Sequence, residues 1–450
     1  MPASTPDSSG APTADQTDRV VLRTAESEAG GPGCPCDVIV VDDATGALTA
    51  HSLQALAEHE GARVFSWSSS CARAREIAEQ FTREIADGRL VVPSGARTAP
   101  GGAAPASDPA LEPVPLEEFA SSADAHLALG RLPKSLAGLE DRARRLALAA
   151  GGSGRDDLEL VAGGRVKHMT RQQNEVLGRV FTEVRASLGL GKSRALIATG
   201  PRPGPDLMQP AEGTAAITIR GQAHELPLRG IGGVFGGASA DAGSLLLLQS
   251  LDEALAAGEF DTEGTRSDGS LPGPHVTGQA DPAVGSGYCA VDLGCGNGLL
   301  TAYLTLALPG ARVIASDDDI DAVLSTRATL DALASQAARD GSAPAGGADV
   351  DGPASAPRVE VMWDDALSRH ADHSADLVLL NPPFHDGTAI DATLVHGLLD
   401  AAARVLRPGG ELWMVHNSHL RYRAELERRV GPARQRARDR RFTVLSAHRV

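Results

Sequence analysis

Residues 377–387 read L-V-L-L-N-P-P-F-H-D-G. The apolar run Leu377-Val378-Leu379-Leu380 suits a strand buried in a parallel sheet. Pro382 and Pro383 stop it, because neither can donate a ladder hydrogen bond. Asn381 to Phe384 must then form an extended, rigid loop at the carboxyl end of that strand. In open α/β sheets this is the edge where ligands bind. The loop offers the Asn381 amide, the Pro382 carbonyl and the Phe384 ring. Together these can accept hydrogen bonds from a planar amine and stack on its ring.

Outward from this loop, strands and helices alternate. Residues 290–300 (A-V-D-L-G-C-G-N-G-L-L) are an apolar strand running into a turn with Gly294, Gly296 and Gly298. Further strands are expected over 311–315, 359–362, 411–416 and 442–447, with helices over 299–306, 320–338, 392–406 and 422–430. The first half reads the same way, with strands over 36–43, 63–67 and 90–93 and helices over 46–60 and 71–87. Another helix there is capped by Thr170, with Val176, Val180 and Val184 behind it. The alternation predicts two tandem Rossmann-like α/β domains, each a doubly wound, mostly parallel sheet. The expected organisation is a disordered tail over 1–36, a first domain over 37–200, a proline-rich linker over 201–212 and a second domain over 213–450. Short strands are expected over 216–220 and 231–235. Insertions rich in Ala, Gly and Pro fall at 96–113 and 341–357.

The two halves carry a faint repeat. Gly61-Ala62-Arg63-Val64 recurs as Gly310-Ala311-Arg312-Val313. Laid over each other, Asp42-Asp43-Ala44-Thr45-Gly46 faces Asp292-Leu293-Gly294-Cys295-Gly296. Ser68 or Trp67 stands opposite Asp317. Leu132-Pro133-Lys134-Ser135 stands opposite Asn381-Pro382-Pro383-Phe384. The pattern is that of a duplicated fold with the first site emptied.

The 450 residues carry a net charge of −16, which argues against holding nucleic acid by bulk charge but not against a local basic patch. One such excess exists: residues 421–450 hold ten arginines against Glu425, Glu427 and Asp439. It can meet phosphate, or pair with acids elsewhere. No apolar run reaches membrane-spanning length, and no signal peptide is evident. Five cysteines without C-x-x-C or metal-ligand spacing read as reduced thiols in a cytoplasmic protein that binds no metal.

Glycines at 294, 296 and 298 let the backbone pass close to a ligand, and the helix start behind them favours a negative group. Alone, this turn equally fits a nicotinamide cofactor or a structural turn. Asp292 precedes the glycines. Asp317 ends the next strand, where a carboxylate can accept from ribose hydroxyls, although Asp318 and Asp319 equally suit a helix cap. Asp365 is placed to accept from an adenine amino group. Asn381, Pro382, Pro383 and Phe384 decide the chemistry. Hydride transfer has no use for them, whereas methyl transfer to an exocyclic amine does. Accepting the amine's two hydrogens at Asn381 and Pro382 localises its lone pair, and Phe384 fixes the ring plane. His385 and Asp386 can orient the base or simply hydrogen-bond the loop. Cys295 reads as a packing residue rather than a nucleophile.

D-L-G-C-G-N-G followed by N-P-P-F-H resembles class I S-adenosylmethionine methyltransferases acting on amino nitrogens. More narrowly, the chain resembles bacterial ribosomal RNA guanine-N2 methyltransferases of the RsmC and RlmG type. Phe235 with Asp241-x-Gly243-Ser244, and Asn417-x-His419-Leu420-x-Tyr422, extend the likeness. The resemblance implies a degenerate first domain that serves RNA docking or folding. It implies an enzyme that transfers methyl from S-adenosylmethionine to N2 of a guanine in 16S or 23S ribosomal RNA. The substrate would be that RNA, a ribosomal subunit or an assembly intermediate, and the enzyme a monomer. Asp292, Gly294, Cys295, Gly296, Gly298, Asp317 and Asp365 would hold the cofactor, and Asn381 to Phe384 the guanine amine. The Asp364-Asp365 pair departs from relatives that often carry Asn. The rivals are methylation of protein glutamine N5 or DNA adenine N6, and an inactive cofactor-binding assembly factor.

Overall fold

The computed structural model describes residues 12–28, 36–93, 113–204, 206–259, 287–339, 359–383 and 392–450. The insertions expected at 96–113 and 341–357 fall almost wholly outside them, as do Phe384, His385 and Asp386. The chain divides into two compact units. One comprises 1–209 with 231–233 and 319–321; the other comprises 210–230, 234–318 and 322–450.

In the first unit, strands β1 (Asp37–Val41), β2 (Val64–Trp67), β3 (Leu90–Val91), β4 (Ala125–Arg131), β5 (Glu159–Arg165), β6 (Phe181–Ala186) and β7 (Ser193–Pro201) form one sheet in the order 3-2-1-4-5-7-6. Only the pairs β5–β7 and β6–β7 are antiparallel. Its helices are α1 (Gln16–Ser27), α2 (Ala47–Ala55), α3 (Cys71–Gln80), α4 (Thr82–Ala86), α5 (Leu116–Phe119), α6 (Leu136–Gly152) and α7 (Arg171–Val180). Thr170 caps α7 through a reciprocal bond with Gln173, and Val176 and Val180 are buried behind it.

The second unit opens with a hairpin, β8 (Ala211–Ile219) and β9 (Gln222–Gly230), joined by Arg220 and Gly221 at φ of 50° and 77°. Two residues of positive φ are the turn that matches strand twist. The expected strand over 216–220 is part of this hairpin, while 231–235 forms no strand. Then follow α8 (Ala242–Ala256), β10 (Cys289–Leu293), α9 (Leu299–Ala307), β11 (Arg312–Asp317), α10 (Ile320–Arg339), β12 (Val359–Trp363), β13 (Ala375–Leu380), α11 (Ala392–Val405), β14 (Leu406–Asn417), α12 (Arg423–Arg429), β15 (Ala433–Arg438) and β16 (Phe442–His448). The sheet order is 12-11-10-13-14-16-15, the first sheet's topology repeated. Leu377 and Leu379 pack toward α8, α9 and the hairpin, and Val378 and Leu380 pack toward α11 and α12. All four are fully buried, as a strand covered on both faces requires.

Strand pairing fixes how the halves correspond, and it shifts the sequence overlay. Val41 pairs with Trp67 and Gly130, just as Leu293 pairs with Ser316 and Leu380. Asp42 therefore stands where Gly294 is, and Gly46 stands where Gly298 is. Ser68 matches Asp317, and Arg131-Leu132-Pro133 matches Asn381-Pro382-Pro383. The overlay on Val-Asp was two residues out, because the turn after β10 leaves its strand later than that match assumes.

The expectation of a disordered tail over 1–36 is corrected for α1. Asp15 caps this helix with Asp18 in a capping box, and Val20, Val21 and Ala25 are buried. Its sequence is polar enough to resemble a tail, but its short apolar face has a sheet to cover. The helix also fills the first sheet's ligand edge. Asp18, fully buried, accepts from Thr45 Oγ1 at 2.7 Å and from Arg131 at 2.6 Å, and Arg131 also reaches Asp15. Cys71, Cys289 and Cys295 are free and buried, whereas Cys36 is disulfide-bonded, contrary to the expectation of reduced thiols.

Arg131→Ala strands the buried Asp18 carboxylate, and the expected loss is about 2–4 kcal/mol in urea denaturation. Arg131→Met combined with Asp18→Leu should recover most of it. A loss below about 0.5 kcal/mol, the scale of an ordinary surface change, would contradict a plugged first edge.

Candidate active site

The second sheet brings the sequence-identified residues to one edge. Leu293 pairs with Ser316 on one side and Leu380 on the other, and Asp317 pairs with Trp363. Gly294, Asp317, Asp364 and Asn381 thus leave or end four neighbouring parallel strands at about the same level. The turn after β10 is fastened to β11: the Gly294 and Cys295 N–H groups donate to the Ser316 carbonyl at 2.8 and 3.1 Å. Gly296 N–H donates to Asp317 Oδ2 at 3.0 Å.

The three glycines do different work. All have positive φ, at 83°, 53° and 83°. A Cβ placed on Gly294 or Gly296 would meet no described atom within 4 Å, whereas at Gly298 it would lie 3.0 Å from Thr326 Cα. Gly294 and Gly296 border open space, and Gly298 lets α9 and α10 approach. The first unit keeps only the counterpart of this packing glycine, Gly46, also at φ 83°.

Asp292 is fully buried behind the turn. Its Oδ2 accepts from Thr301 Oγ1 at 2.6 Å, and its Oδ1 has no partner among the described residues. Burial, opposed by the Thr301 bond and reinforced by nearby Asp317, pushes its pKa up to about 7. Burial likewise holds the Cys295 thiol protonated, which suits packing rather than attack. Asp364 is consumed by its own turn, accepting from Ser368 Oγ at 2.5 Å and Arg369 N–H at 3.0 Å. Asp365 beside it is half-buried. Asp319 accepts from Asp321 N–H at 3.0 Å, as the cap reading expected.

Asn381 is held at its amide nitrogen. Nδ2 donates to Asp241 Oδ2 at 3.1 Å and to Ser244 Oγ at 2.8 Å. A carboxylate only accepts, so the amide orientation is fixed. Both N–H groups are used, and the Oδ1 end remains to accept. Asp241 is itself the N-cap of α8, taking Ser244 N–H at 2.9 Å. Pro382 is buried and Pro383 exposed.

The Methyltransferase small domain model matches residues 284–344 and 348–446, and the RLMG N-terminal domain model matches 110–202. The chain is 33% identical over 325 residues to Ribosomal RNA large subunit methyltransferase G of Streptomyces coelicolor, covering 71% of each chain. It is 29% identical over 440 residues to the protein of that name from Streptomyces avermitilis, covering 96% and 92%. This chain belongs to the ribosomal RNA large subunit methyltransferase G family. It is a methyltransferase of that family. The fold is that of the T. thermophilus 16S rRNA N2 methyltransferase RsmC, solved with AdoMet and guanosine. That structure matches with a TM-score of 0.63 and 22% identity over 97% and 93% of the chains.

The residues present fit that cofactor: two glycines bordering open space, an unpartnered buried carboxylate oxygen at Asp292, and a helix start at α9. The sequence pattern assigns no role to Asn297, Asp241 and Ser244, and the structure places all three behind the site. Asn297 Nδ2 donates at 3.0 Å to both Gly237 O and Ser239 O, tying the glycine turn to the loop before α8. The D-x-x-S cap preceding an apolar helix was the available signal.

A pKa of about 7 means that the folded state retains a proton at Asp292 that the unfolded chain loses above about pH 4. This contribution is fully present at low pH and is lost as pH rises through 7. Asp292→Asn should therefore stabilise the cofactor-free protein at pH 8 by on the order of 3 kcal/mol, with the gap closing toward pH 4. Thermal melts across that range test it; a variant no more stable than wild type at pH 8 would contradict the burial.

Proposed function

We propose that this enzyme transfers the methyl group of S-adenosylmethionine to the exocyclic N2 amine of a guanine in large-subunit ribosomal RNA. The observation that carries this reading is the held amide of Asn381, whose free end is its oxygen. When bound, the cofactor supplies an activated sulfonium methyl, so no strong base is required before attack. Asn381 Oδ1 and the Pro382 carbonyl accept the two N–H hydrogens of the amine. That localises a lone pair otherwise delocalised into the base and aims it at the methyl carbon. Pro382 and Pro383 keep the carbonyl rigid, and Phe384 stacks on the base. Gly294 and Gly296 admit the methionine part of the cofactor and Gly298 holds the helix behind them. Cys295 packs under the turn, Asp292 faces the amino group, Asp317 takes ribose hydroxyls, and Asp365 takes the adenine amine. Asp364 is fully buried and accepts within its own turn, whereas Asp365 is half-buried.

The relatives' names support the large subunit. The substrate is the RNA or an assembling subunit, and the enzyme acts as a cytoplasmic monomer. Among the described residues no helix is long and apolar enough to cross a membrane. The tandem arrangement is a degenerate methyltransferase-like domain that runs from α1 to β7 and a catalytic domain that runs from β8 to β16, with the linker expected over 201–212 narrowed to 202–210 by the end of β7 and the start of β8.

Methylation mapping of ribosomal RNA from cells with and without the gene tests the proposal. One guanine N2 methyl in large-subunit RNA should vanish, return with wild type, and stay absent or fall at least about tenfold with Asn381→Ala. Unchanged RNA would overturn the guanine assignment and move attention to protein glutamine or DNA adenine.

A further inference from the structure

We propose that a second subsite, beside the acceptor loop, recognises the backbone of the substrate strand as RNA through a ribose 2′-hydroxyl. It rests on the RNA substrate proposed above. The subsite is a cavity of about 560 Å³ at the carboxyl end of β14, walled by the start of α12 and by β15 and β16. β14 is the parallel neighbour of β13, with Met414 paired to Leu380, so the cavity opens at the same sheet edge as Asn381.

Its floor holds His416, only 4% exposed. His416 Nδ1 lies 2.9 Å from the Asn417 carbonyl, which can only accept, so Nδ1 carries the proton. Nε2 is then a bare acceptor, and among the described residues it has no hydrogen-bond partner. Burial, with nearby Arg438 and His419, holds the ring's pKa below its ordinary value and keeps it neutral. A buried acceptor without a donor is destabilising, a penalty that a ligand hydroxyl removes.

The walls supply the opposite kind of group. Arg421 and Arg438 line the cavity and are exposed. Among the described residues neither has an acidic partner, whereas Arg423 is held by Glu427 at 2.9 Å. In a chain of net charge −16, two uncommitted guanidinium groups around one cavity oppose the average field. Guanidinium groups suit phosphate, but phosphate has no hydrogen for His416. In a nucleic-acid backbone the phosphate and ether oxygens all accept, and the 2′-hydroxyl is the donor that RNA has and DNA lacks. Two cations beside a bare acceptor therefore match a ribose-phosphate unit. The Tyr422 ring, edge-on to His416 at 5.6 Å, fixes the imidazole plane.

The test is fluorescence anisotropy of the full chain with a short single-stranded RNA containing one guanine, and with the DNA of the same sequence. Wild type should prefer RNA by about fivefold or more, the worth of one hydrogen bond. His416→Leu should erase the preference, and His416→Gln, which returns an acceptor, should keep part of it. Arg421→Ala and Arg438→Ala should weaken RNA and DNA alike and flatten the salt dependence. Equal wild-type affinities, or a preference that survives His416→Leu with cofactor affinity intact, would overturn the subsite. If the leucine variant does not fold, a scan of single 2′-deoxy positions against wild type decides, and the absence of any sensitive position overturns it. The guanine assignment fails separately, through unchanged ribosomal RNA methylation.

Discussion

The proposed acceptor edge depends on the grip of Asp241 and Ser244 on the Asn381 amide nitrogen. An asparagine at a strand end can turn either face of its amide outward, and only one face accepts from an amine. The α8 cap removes that freedom, because a carboxylate cannot donate. The same cap is reached from the cofactor turn, since Asn297 holds the carbonyls of Gly237 and Ser239 just before Asp241. Cofactor turn, cap and acceptor loop thus form one hydrogen-bonded series within the second unit. Proximity and orientation are the main contributions available to a reaction whose donor is already activated.

The two sheets show what one topology does with and without such an edge. In the second unit, among the described residues, Gly294 and Gly296 border open space and Asp292 keeps an oxygen without a partner. In the first unit, the residues at the matching places close on themselves. Asp42 accepts from Ser69, Asp43 accepts from the N–H groups of Gly46 and Thr49, and Arg131 pairs with Asp18 of α1. Asp42 even keeps the positive φ of its glycine counterpart, at 53°. The duplicated fold persists because its core persists, while the ligand edge is filled by helix and ion pair.

Much of this was legible in the residues. Strands buried on both faces announce themselves as apolar runs, so the parallel sheets and the strand end at Asn381-Pro382-Pro383 were readable. Other features needed coordinates. Spacing cannot separate Gly298, pressed against Thr326, from Gly294, which borders open space. Nor can it tell that Asp364 is fully buried and accepts from Ser368 and Arg369 within its own turn. α1 was hidden because a short helix with few apolar residues has the composition of a tail. The overlay of the halves failed by two residues because a four-residue identity does not fix strand register, whereas hydrogen bonding does. Asp241 and Asn381 are far apart in sequence, so no periodicity joins them.

The most direct measurement is a double-mutant cycle on kcat for methyl transfer to ribosomal RNA, using Asp241→Ala, Asn381→Ala and the pair. If Asp241 acts by aiming the Asn381 amide, each single change lowers kcat, and adding Asp241→Ala to Asn381→Ala costs little more. If the two losses simply multiply, Asp241 only builds the fold, and the oriented amide is not what drives the reaction.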